Sequence, residues 1–401
     1  MTKVALSSPH GRAIPTAPPD GLFAAMLLAF LATAGLFYVN IMAAIVDGLV
    51  TGLGLTEQQA GYIGSANIYG AALGALVAVL FVKQLPWRPV AIAALVALIV
   101  IDLSSVAIEG FSLLLPVRFL HGIVGGILTG LAFAVIARTA NPDRTFGMLL
   151  FVQFGLGGLA VMILPPLAPL YGTQALFFAL ALFSFVTLLM VPFLDRYPAD
   201  RKLLASAAKE AKVEWSPLLM TLAAIFLFQA ANMALLAYII RLGLGYGLER
   251  SFVSLALGLS TWVALLGPLL VMIFGLKFGR GKMLLAAMVL TLVGTSIFHL
   301  SAAPWAYMMA NCGTGITWGL VIAYLLGMTA EFDAAGRASA FGGFVSKLGL
   351  ASGPMVAGWL LHSGLGYPAM INVALGVLVA SALVMLSPAF LLDRKRRQTE
   401  T

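Results

Sequence analysis

The sequence predicts an all-α membrane protein with twelve transmembrane helices in two pseudo-symmetric six-helix bundles. Of its 401 residues, 61% are hydrophobic and only 9% are charged, so a soluble domain could not cover its surface with polar groups. The chain contains twelve long apolar stretches, and about 20 apolar residues cross the hydrocarbon core as a helix. A correspondence between the first and second halves of the sequence divides these stretches into two sets of six.

Each apolar stretch is expected to be a helix, because backbone polar groups find no water in the hydrocarbon core. The run Thr56-Glu57-Gln58-Gln59 predicts a capping box that opens the second span. The run Asn141-Pro142-Asp143 breaks the chain between the fourth and fifth spans. The predicted spans are 22–46, 58–82, 90–108, 112–137, 145–169, 173–194, 218–240, 251–275, 283–301, 305–329, 338–361 and 367–391.

The basic residues predict the orientation of the spans. With the N-terminus inside, 19 of the 23 Lys and Arg residues fall in cytoplasmic segments. Only Arg241 and Arg250 fall in an outer loop, while Arg118 and Lys347 lie within spans. This skew predicts a multi-pass plasma-membrane protein with both termini cytoplasmic. The net charge of +8 is thus a topology signal, and no folded polar domain offers a basic face to nucleic acid.

The longest polar stretch lies in the middle of the chain and separates six spans from six. A shift of 193 positions lays Gly74 on Gly267, Gly122 on Gly315 and Gly126 on Gly319. Because six is even, the halves are parallel repeats, and the substrate site is expected between them near the midplane. The predicted segments are a disordered cytoplasmic tail at 1–20, bundles at 21–194 and 218–392, a cytoplasmic linker at 195–217 and a basic tail at 393–401.

Two motifs link this pattern to a known family. The run Arg118-Phe119-Leu120-His121-Gly122 resembles the R-x-x-x-G motif of the major facilitator superfamily. Lys277-Phe278-Gly279-Arg280 resembles the second-half version of its D-R-x-G-R loop, whereas residues 83–88 depart from the first-half version. The resemblance covers residues 20–393, and the run Ser65-Ala66-Asn67-Ile68-Tyr69-Gly70 is similar to the second helix of some poorly characterised bacterial members. It implies a transporter whose helices 1, 4, 7 and 10 line the pathway.

Charged side chains inside the spans suggest a functional or structural role, because inserting each one at the bilayer centre costs about 2.5–3.5 kcal/mol of free energy. Lys347 lies near the midplane, where it is either a substrate counter-ion, a proton-coupling group or a side chain neutralised internally. Arg118 lies at about the depth of Asp102, which predicts an ion pair with a structural or a proton-coupling role. His121 lies one turn from Arg118, and the unperturbed pKa of histidine, about 6.5, suits a proton carrier. No Asp or Glu lies at the centre of a span, which argues against an organic-cation site.

Neutral polar and aromatic side chains recur on the spans that are expected to face the cavity. Asn311 and Trp318 form a stripe with Thr314 on the tenth span, and Gln229 and Asn232 share a face of the seventh. Such residues either contact substrate or join helices, at about 0.6 kcal/mol each. The candidate substrate-binding residues are Tyr38, Asn40, Arg118, Gln153, Gln229, Asn232, Asn311, Trp318, Tyr324 and Lys347.

The same offset predicts an asymmetric gate on the cytoplasmic side. Arg138 corresponds to Glu331, so only the second half places an acidic residue beside the basic loop. We expect Glu331 to pair with Lys277 or Arg280 when the cavity opens outward, with Arg337 as a further gating residue. Exposed pairs of this kind contribute at most about 1 kcal/mol.

An enzymatic function has little support in the sequence. The four histidines show no haem or metal spacing, no phosphate loop is present, and Cys312 is a lone cysteine, so no cofactor, metal or disulfide is expected. The function predicted is secondary transport of a small organic anion, such as an aromatic carboxylate, by a monomer that rocks two bundles. Protons are favoured over sodium because no central carboxylate cluster offers hard oxygen ligands. The alternatives are multidrug or sugar efflux and, in another class, a non-transporting receptor or a lipid flippase.

Overall fold

The computed structural model describes residues 16–19, 21–81, 86–139, 141–195, 197, 213–332 and 337–400. These residues form fourteen α-helices and two short 3-10 helices, and they contain no strand. The predicted N-terminal tail up to residue 15 and most of the predicted linker, at 198–212, lie outside the described residues.

The helices of the first half are joined by short connections. They are α1 (Leu22–Asn40), α2 (Met42–Leu53), α3 (Glu57–Phe81), α4 (Trp87–Ser105), α5 (Phe111–Ile136), α6 (Pro142–Tyr171) and α7 (Gln174–Met190).

The second half has the same order of long helices. They are α8 (Trp215–Gly245), α9 (Arg250–Val263), α10 (Leu266–Phe274), α11 (Arg280–Ile297), α12 (Pro304–Phe332), α13 (Arg337–His362) and α14 (Gly366–Glu400). The 3-10 helices Val191–Phe193 and Phe298–Leu300 extend α7 and α11.

Twelve segments in the described part of the chain are long and apolar enough to cross a membrane, as the sequence predicts. Two predicted spans are not single helices. The first is broken at Ile41 and continues as α2 to Leu53, so the prediction of one helix over 22–46 is wrong. The eighth breaks between α9 and α10, where Pro268 lacks the N–H that would continue the helical ladder.

The predicted ends of the second bundle also need correction. α8 begins at Trp215, within the segment expected to be linker. α14 continues through the basic run at 394–397 to Glu400, so residues predicted as a tail are helical. Its last turns leave the apolar span and present charged side chains to solvent.

Glycines on neighbouring helices confirm the repeat between the halves. A Cβ at Gly74 on α3 would overlap the carbonyl oxygen of Ile123 on α5. A Cβ at Gly267 at the start of α10 would overlap the carbonyl oxygen of Ile316 on α12. Both residues of the second pair lie 193 positions after those of the first. The two halves therefore use the same close helix contact, which only glycine permits.

The even number of spans places both ends of the chain on one side, which we call the terminal side. The loops 54–56, 106–110, 246–249 and 363–365 lie on the other side, which we call the opposite side. The two halves meet mainly where α3 packs on α13, α6 on α9 and α2 on α8. The hydrogen bonds between halves among the described residues lie at mid-depth or on the opposite side, so the halves close on that side.

Candidate functional site

A buried ion pair lies inside the first half, between α4 and α5. Arg118 donates from Nη1 to Oδ1 of Asp102 at 2.8 Å, and both side chains are almost fully buried. Its Nη2 donates to the carbonyl oxygen of Ile101 at 3.2 Å and to the hydroxyl of Ser105. The guanidinium also lies over the ring of Phe177, 4.7 Å from its centroid. The contact predicted from the equal depth of Arg118 and Asp102 is thus present.

His121 extends this pair into a larger group that we call the buried charge cluster, formed by Asn67, Asp102, Arg118 and His121. His121 Nε2 lies 3.2 Å from Oδ1 of Asp102. On the other side of the ring, Nδ1 lies 2.8 Å from Nδ2 of Asn67. The same Asn67 nitrogen donates to the carbonyl oxygen of Arg118 at 3.0 Å. Four side chains from three helices therefore hold one another in a fixed geometry.

Close backbone contact between α3 and α5 fixes the distance across the cluster. A Cβ at Gly122 would overlap the carbonyl oxygen of Asn67, and one at Gly70 would overlap that of Phe119. At these glycines the backbones of the two helices touch directly. This close approach places Asn67 against the α5 residues that it contacts.

Several polar atoms of this region have no hydrogen-bond partner among the described residues. They are Oδ2 of Asp102, Nε of Arg118 and the hydroxyl of Tyr38. Tyr38 is 2% exposed, and its ring lies 5.7 Å from that of His121 and 6.0 Å from the Arg118 guanidinium. Tyr38 and Arg118 therefore lie in the interior of the first half in this conformation, and their contact with substrate stays a prediction.

The second half carries a polar group at mid-depth, formed by Gln229, Trp318, Ser346 and Lys347. Gln229 donates to the hydroxyl of Ser346 at 2.7 Å and accepts from the Trp318 indole N–H at 2.6 Å. Lys347 follows Ser346 on α13, ten residues after the helix begins, and is partly exposed. In the described part of the chain its ammonium has no hydrogen bond or ion pair. By contrast, the buried Asp47, Asp102, Arg118 and Arg280 each have an oppositely charged partner.

The other predicted substrate-binding residues already have partners. Asn40 and Gln153, both half-buried, bond each other across α1 and α6, with Gln153 Nε2 donating to Asn40 Oδ1 at 2.9 Å. Asn232 and Asn311 are buried and donate to carbonyl oxygens of their own helices. Tyr324 is buried and donates to the carbonyl oxygen of Gly275 at 2.5 Å. Their contact with substrate stays a prediction.

Two ion pairs on the opposite side join the halves. Asp47 on α2 accepts from Arg250 at the start of α9, and the Asp47 side chain is fully buried. Glu57 at the start of α3 accepts from Arg241 near the end of α8 at 3.0 Å. The hydroxyl of Tyr238 adds a bond to the carbonyl oxygen of Glu57 at 2.5 Å. Sequence reasoning missed these pairs, although Arg241 and Arg250 are the only Lys or Arg residues in the predicted outer loops.

The predicted ion pair on the terminal side is present in the second half. Arg280 donates to both carboxylate oxygens of Glu331, one of them at 3.0 Å. Lys277 instead lies beside the ring of Phe278 at 5.7 Å, and the side chain of Arg337 lies outside the described part of the chain. We expected this pair in a conformation whose cavity opens outward. In the structure the halves are closed on the opposite side and the pair is nevertheless formed, so it is not confined to the outward-open conformation.

Asp393 is a terminal-side residue that sequence reasoning placed in the tail. Its carboxylate accepts from the backbone N–H groups of Arg280 and Gly281 at 2.8 and 2.9 Å. It therefore caps the N-terminus of α11, where a negative charge is favourable. Gly279, at φ 80°, precedes this cap, and a Cβ there would meet the Asp393 carboxylate.

Comparison with known proteins identifies the family. The family described as the Major Facilitator Superfamily matches residues 22–249, which is more than half of the chain. The chain belongs to the Major Facilitator Superfamily. No curated protein matches the chain.

Solved structures of other superfamily transporters share the fold. The nucleoside transporter NupG is 12% identical, with a TM-score of 0.73 over 91% of this chain and 98% of that one. A D-xylose-proton symporter is 15% identical, with a TM-score of 0.67 over 91% and 97%. A POT family transporter in complex with 5-aminolevulinic acid is 14% identical, with a TM-score of 0.68 over 92% and 96%. The present protein is thus a multi-pass membrane protein with the fold of a transporter.

Proposed function

We propose that this protein is a proton-coupled secondary transporter of a small organic anion, working by alternating access in a bacterial inner membrane. The observation that carries the substrate class is Lys347. The Lys347 residue lies at mid-depth and is partly exposed, and its ammonium lacks a partner among the described residues. An unpaired ammonium within the membrane is costly, and a bound anion would stabilise it by neutralising its charge and accepting its hydrogen bonds.

The body of such a substrate has suitable neighbours. Trp318 is half-buried on α12, and its indole N–H is held by Gln229, whose other partner is Ser346, the residue before Lys347. An apolar ring beside a few oriented polar groups and one charge is the usual composition of a small-molecule site. This arrangement favours a carboxylate with an aromatic or apolar body.

The buried charge cluster is the proposed proton-coupling site. It combines a histidine, a carboxylate and a fixed guanidinium away from the mid-depth group of the second half. Histidine is the side chain whose ordinary titration falls near physiological pH. The solved D-xylose-proton symporter, whose fold this chain shares, is named for the same type of coupling.

Alternating access is supported by where the halves touch. Ion pairs close the opposite side, and among the described residues no hydrogen bond joins the halves on the terminal side. We assign the terminal side to the cytoplasm because the basic residues concentrate there. The described conformation is then the one that opens inward, and we take the monomer as the transporting unit.

Transport in proteoliposomes tests the substrate class. Counterflow of labelled carboxylates that do not leak into protein-free vesicles should be measured for the wild type and for Lys347→Ala. We expect Lys347→Ala to lose anion counterflow, while Lys282→Ala, which removes the same charge from the exposed start of α11, retains it. Normal anion counterflow by Lys347→Ala, in folded protein, would exclude the proposed role.

A neutral solute such as a sugar or a nucleoside is the second candidate. Gln229, Ser346 and Trp318 offer neutral donors and acceptors of the kind that bind hydroxyl groups. In that case Lys347→Ala should leave transport intact, and neutral solutes alone should compete for uptake. Competition by carboxylates and by neutral solutes in the same vesicles therefore separates the two candidates.

A further inference from the structure

The hydrogen bonds around His121 define which ring nitrogen carries the proton. The Asn67 nitrogen Nδ2 lies 3.0 Å from the Arg118 carbonyl oxygen and 2.8 Å from His121 Nδ1. The carbonyl fixes the orientation of the amide, since an amide oxygen in that place would face another acceptor. An NH₂ group can only donate, so His121 Nδ1 accepts and carries no proton.

The other ring nitrogen has the complementary role. His121 Nε2 lies 3.2 Å from Oδ1 of Asp102, the carboxylate oxygen that also accepts from Arg118 Nη1 at 2.8 Å. Asp102 beside Arg118 is ionised and can only accept, so the proton of the neutral imidazole resides on Nε2. The two contacts together specify one tautomer.

We propose that Asn67 is a positioning residue for proton coupling: it holds His121 as the neutral Nε2–H tautomer and has to turn its amide when a proton binds at Nδ1. This inference rests on the proposed proton coupling for its functional meaning. Its structural content, the tautomer and its dependence on Asn67, stands on the contacts alone.

The charges around the His121 ring explain why its protonation requires a rearrangement of the Asn67 amide. The titratable or charged groups that face His121 are Asp102 from α4, Arg118 from α5 and Tyr38 from α1, while α3 contributes the amide of Asn67. With neutral His121, the ionised Asp102 and Arg118 balance. A proton at Nδ1 leaves a net positive charge and a new donor that meets the Asn67 NH₂ group. Turning the amide presents Oδ1 to that donor and breaks the bond to the Arg118 carbonyl.

The helix that carries Asn67 also carries the contact with the second half. Two residues further along α3, the Tyr69 hydroxyl bonds that of Ser352 on α13 at 2.8 Å. Gly61, on the same helix, lies against the Pro354 carbonyl. A change in the packing of α3 on α5 would therefore also change the contact of α3 with α13. This contact lies at the interface between the halves, where alternating access requires movement.

Nitrogen NMR of histidine tests the tautomer directly. We suggest ¹⁵N-histidine labelling of a protein with His10→Gln, His299→Gln and His362→Gln, so that His121 gives the only signals. Above pH 8 we expect an unprotonated Nδ1 and a protonated Nε2 for His121. An Nδ1–H tautomer, or two protonated nitrogens at that pH, would overturn the inference whether or not the protein transports anything.

Substitution at Asn67 tests its role. Asn67→Asp accepts from Nδ1–H, so both His121 nitrogens should stay protonated to a higher pH than in the wild type, and the pH midpoint of transport should rise with them. Ser65→Ala, a matched change at a buried α3 residue outside the cluster, should change neither. Unchanged nitrogen signals in folded Asn67→Asp would contradict the positioning role. A shifted NMR titration with an unshifted transport profile would instead reject proton coupling at this site.

Discussion

Asp47 on α2 and Arg250 at the start of α9 form an ion pair that joins the two halves on the opposite side. The Asp47 side chain is fully buried, whereas that of Arg250 is 21% exposed. The Arg250 guanidinium also donates to the carbonyl oxygen of Pro165 on α6 at 3.4 Å. A buried carboxylate tolerates the loss of its partner poorly, so the pair favours the state in which this side is closed.

Removing this pair should open the opposite side. Asp47→Asn weakens a closed-state contact by about 1 kcal/mol or more, which changes the ratio of the two states at least about fivefold. Spin labels at the exposed positions 109 and 363, one in each half, report the separation of the halves on this side. We expect the longer distance to gain population in the variant.

The matched control is Glu214→Gln, which breaks the ion pair with Lys395 inside the second half. This pair does not join the halves, so the distance distribution should match that of the wild type. An Asp47→Asn distribution as short as the wild type's would contradict a role for the pair in closure.

Arg118 and Asp102 should show strong energetic coupling. Either single change, Arg118→Gln or Asp102→Asn, leaves a poorly compensated buried charge, at a cost of about 3–5 kcal/mol. The double variant removes both charges and should be more stable than either single one. Thermal unfolding of the four proteins in one detergent gives the coupling, and additive losses would show that the residues do not interact.

The glycine contact between α3 and α5 should not tolerate a methyl group. Gly74→Ala places a Cβ against the Ile123 carbonyl and should destabilise the protein by about 1–3 kcal/mol, as overpacking does. Gly155→Ala on α6 meets open space and should leave the unfolding temperature unchanged. Equal unfolding temperatures for the two variants would disprove the close contact.

Glu331→Gln should break the bridge to Arg280 without unfolding the protein. The Glu331 side chain is 45% exposed, so this bridge contributes at most about 1 kcal/mol after solvent screening. We expect an unfolding temperature within a few degrees of the wild type. Because both residues lie in the second half, the distance distribution between the halves should match that of the wild type. A loss of folded protein would show that the pair is required for folding, and a shifted distance distribution would show that it controls the separation of the halves.

The membrane-spanning helices could be predicted because each is a long apolar run, and α3 follows its predicted span of 58–82 within one residue at each end. The break at Ile41 could not, since it carries no Gly or Pro and its apolar neighbours keep the hydropathy continuous. Asp393 was assigned to a tail because charges follow it, and only the folded α14 brings it to the start of α11.

The candidate site was predictable where two charges share one depth, as Arg118 and Asp102 do. The part that Asn67 plays in the site could not be predicted from the sequence, because a neutral amide carries no charge that would indicate a partner. Its role follows from the glycine contact that seats α3 on α5. The pair of Asp47 and Arg250 depends on how the halves dock, and an internal repeat relates the halves without predicting their mutual contacts.

The most direct test of proton-coupled anion transport is simultaneous measurement of anion uptake and proton movement in proteoliposomes with a trapped pH indicator. The vesicles should receive a carboxylate that does not enter protein-free vesicles, with and without an imposed pH gradient. We predict that an inward proton gradient accelerates uptake, that the lumen acidifies as the anion enters, and that Lys347→Ala loses both signals. Uptake that ignores the gradient and leaves the lumen pH unchanged would contradict proton-coupled anion transport.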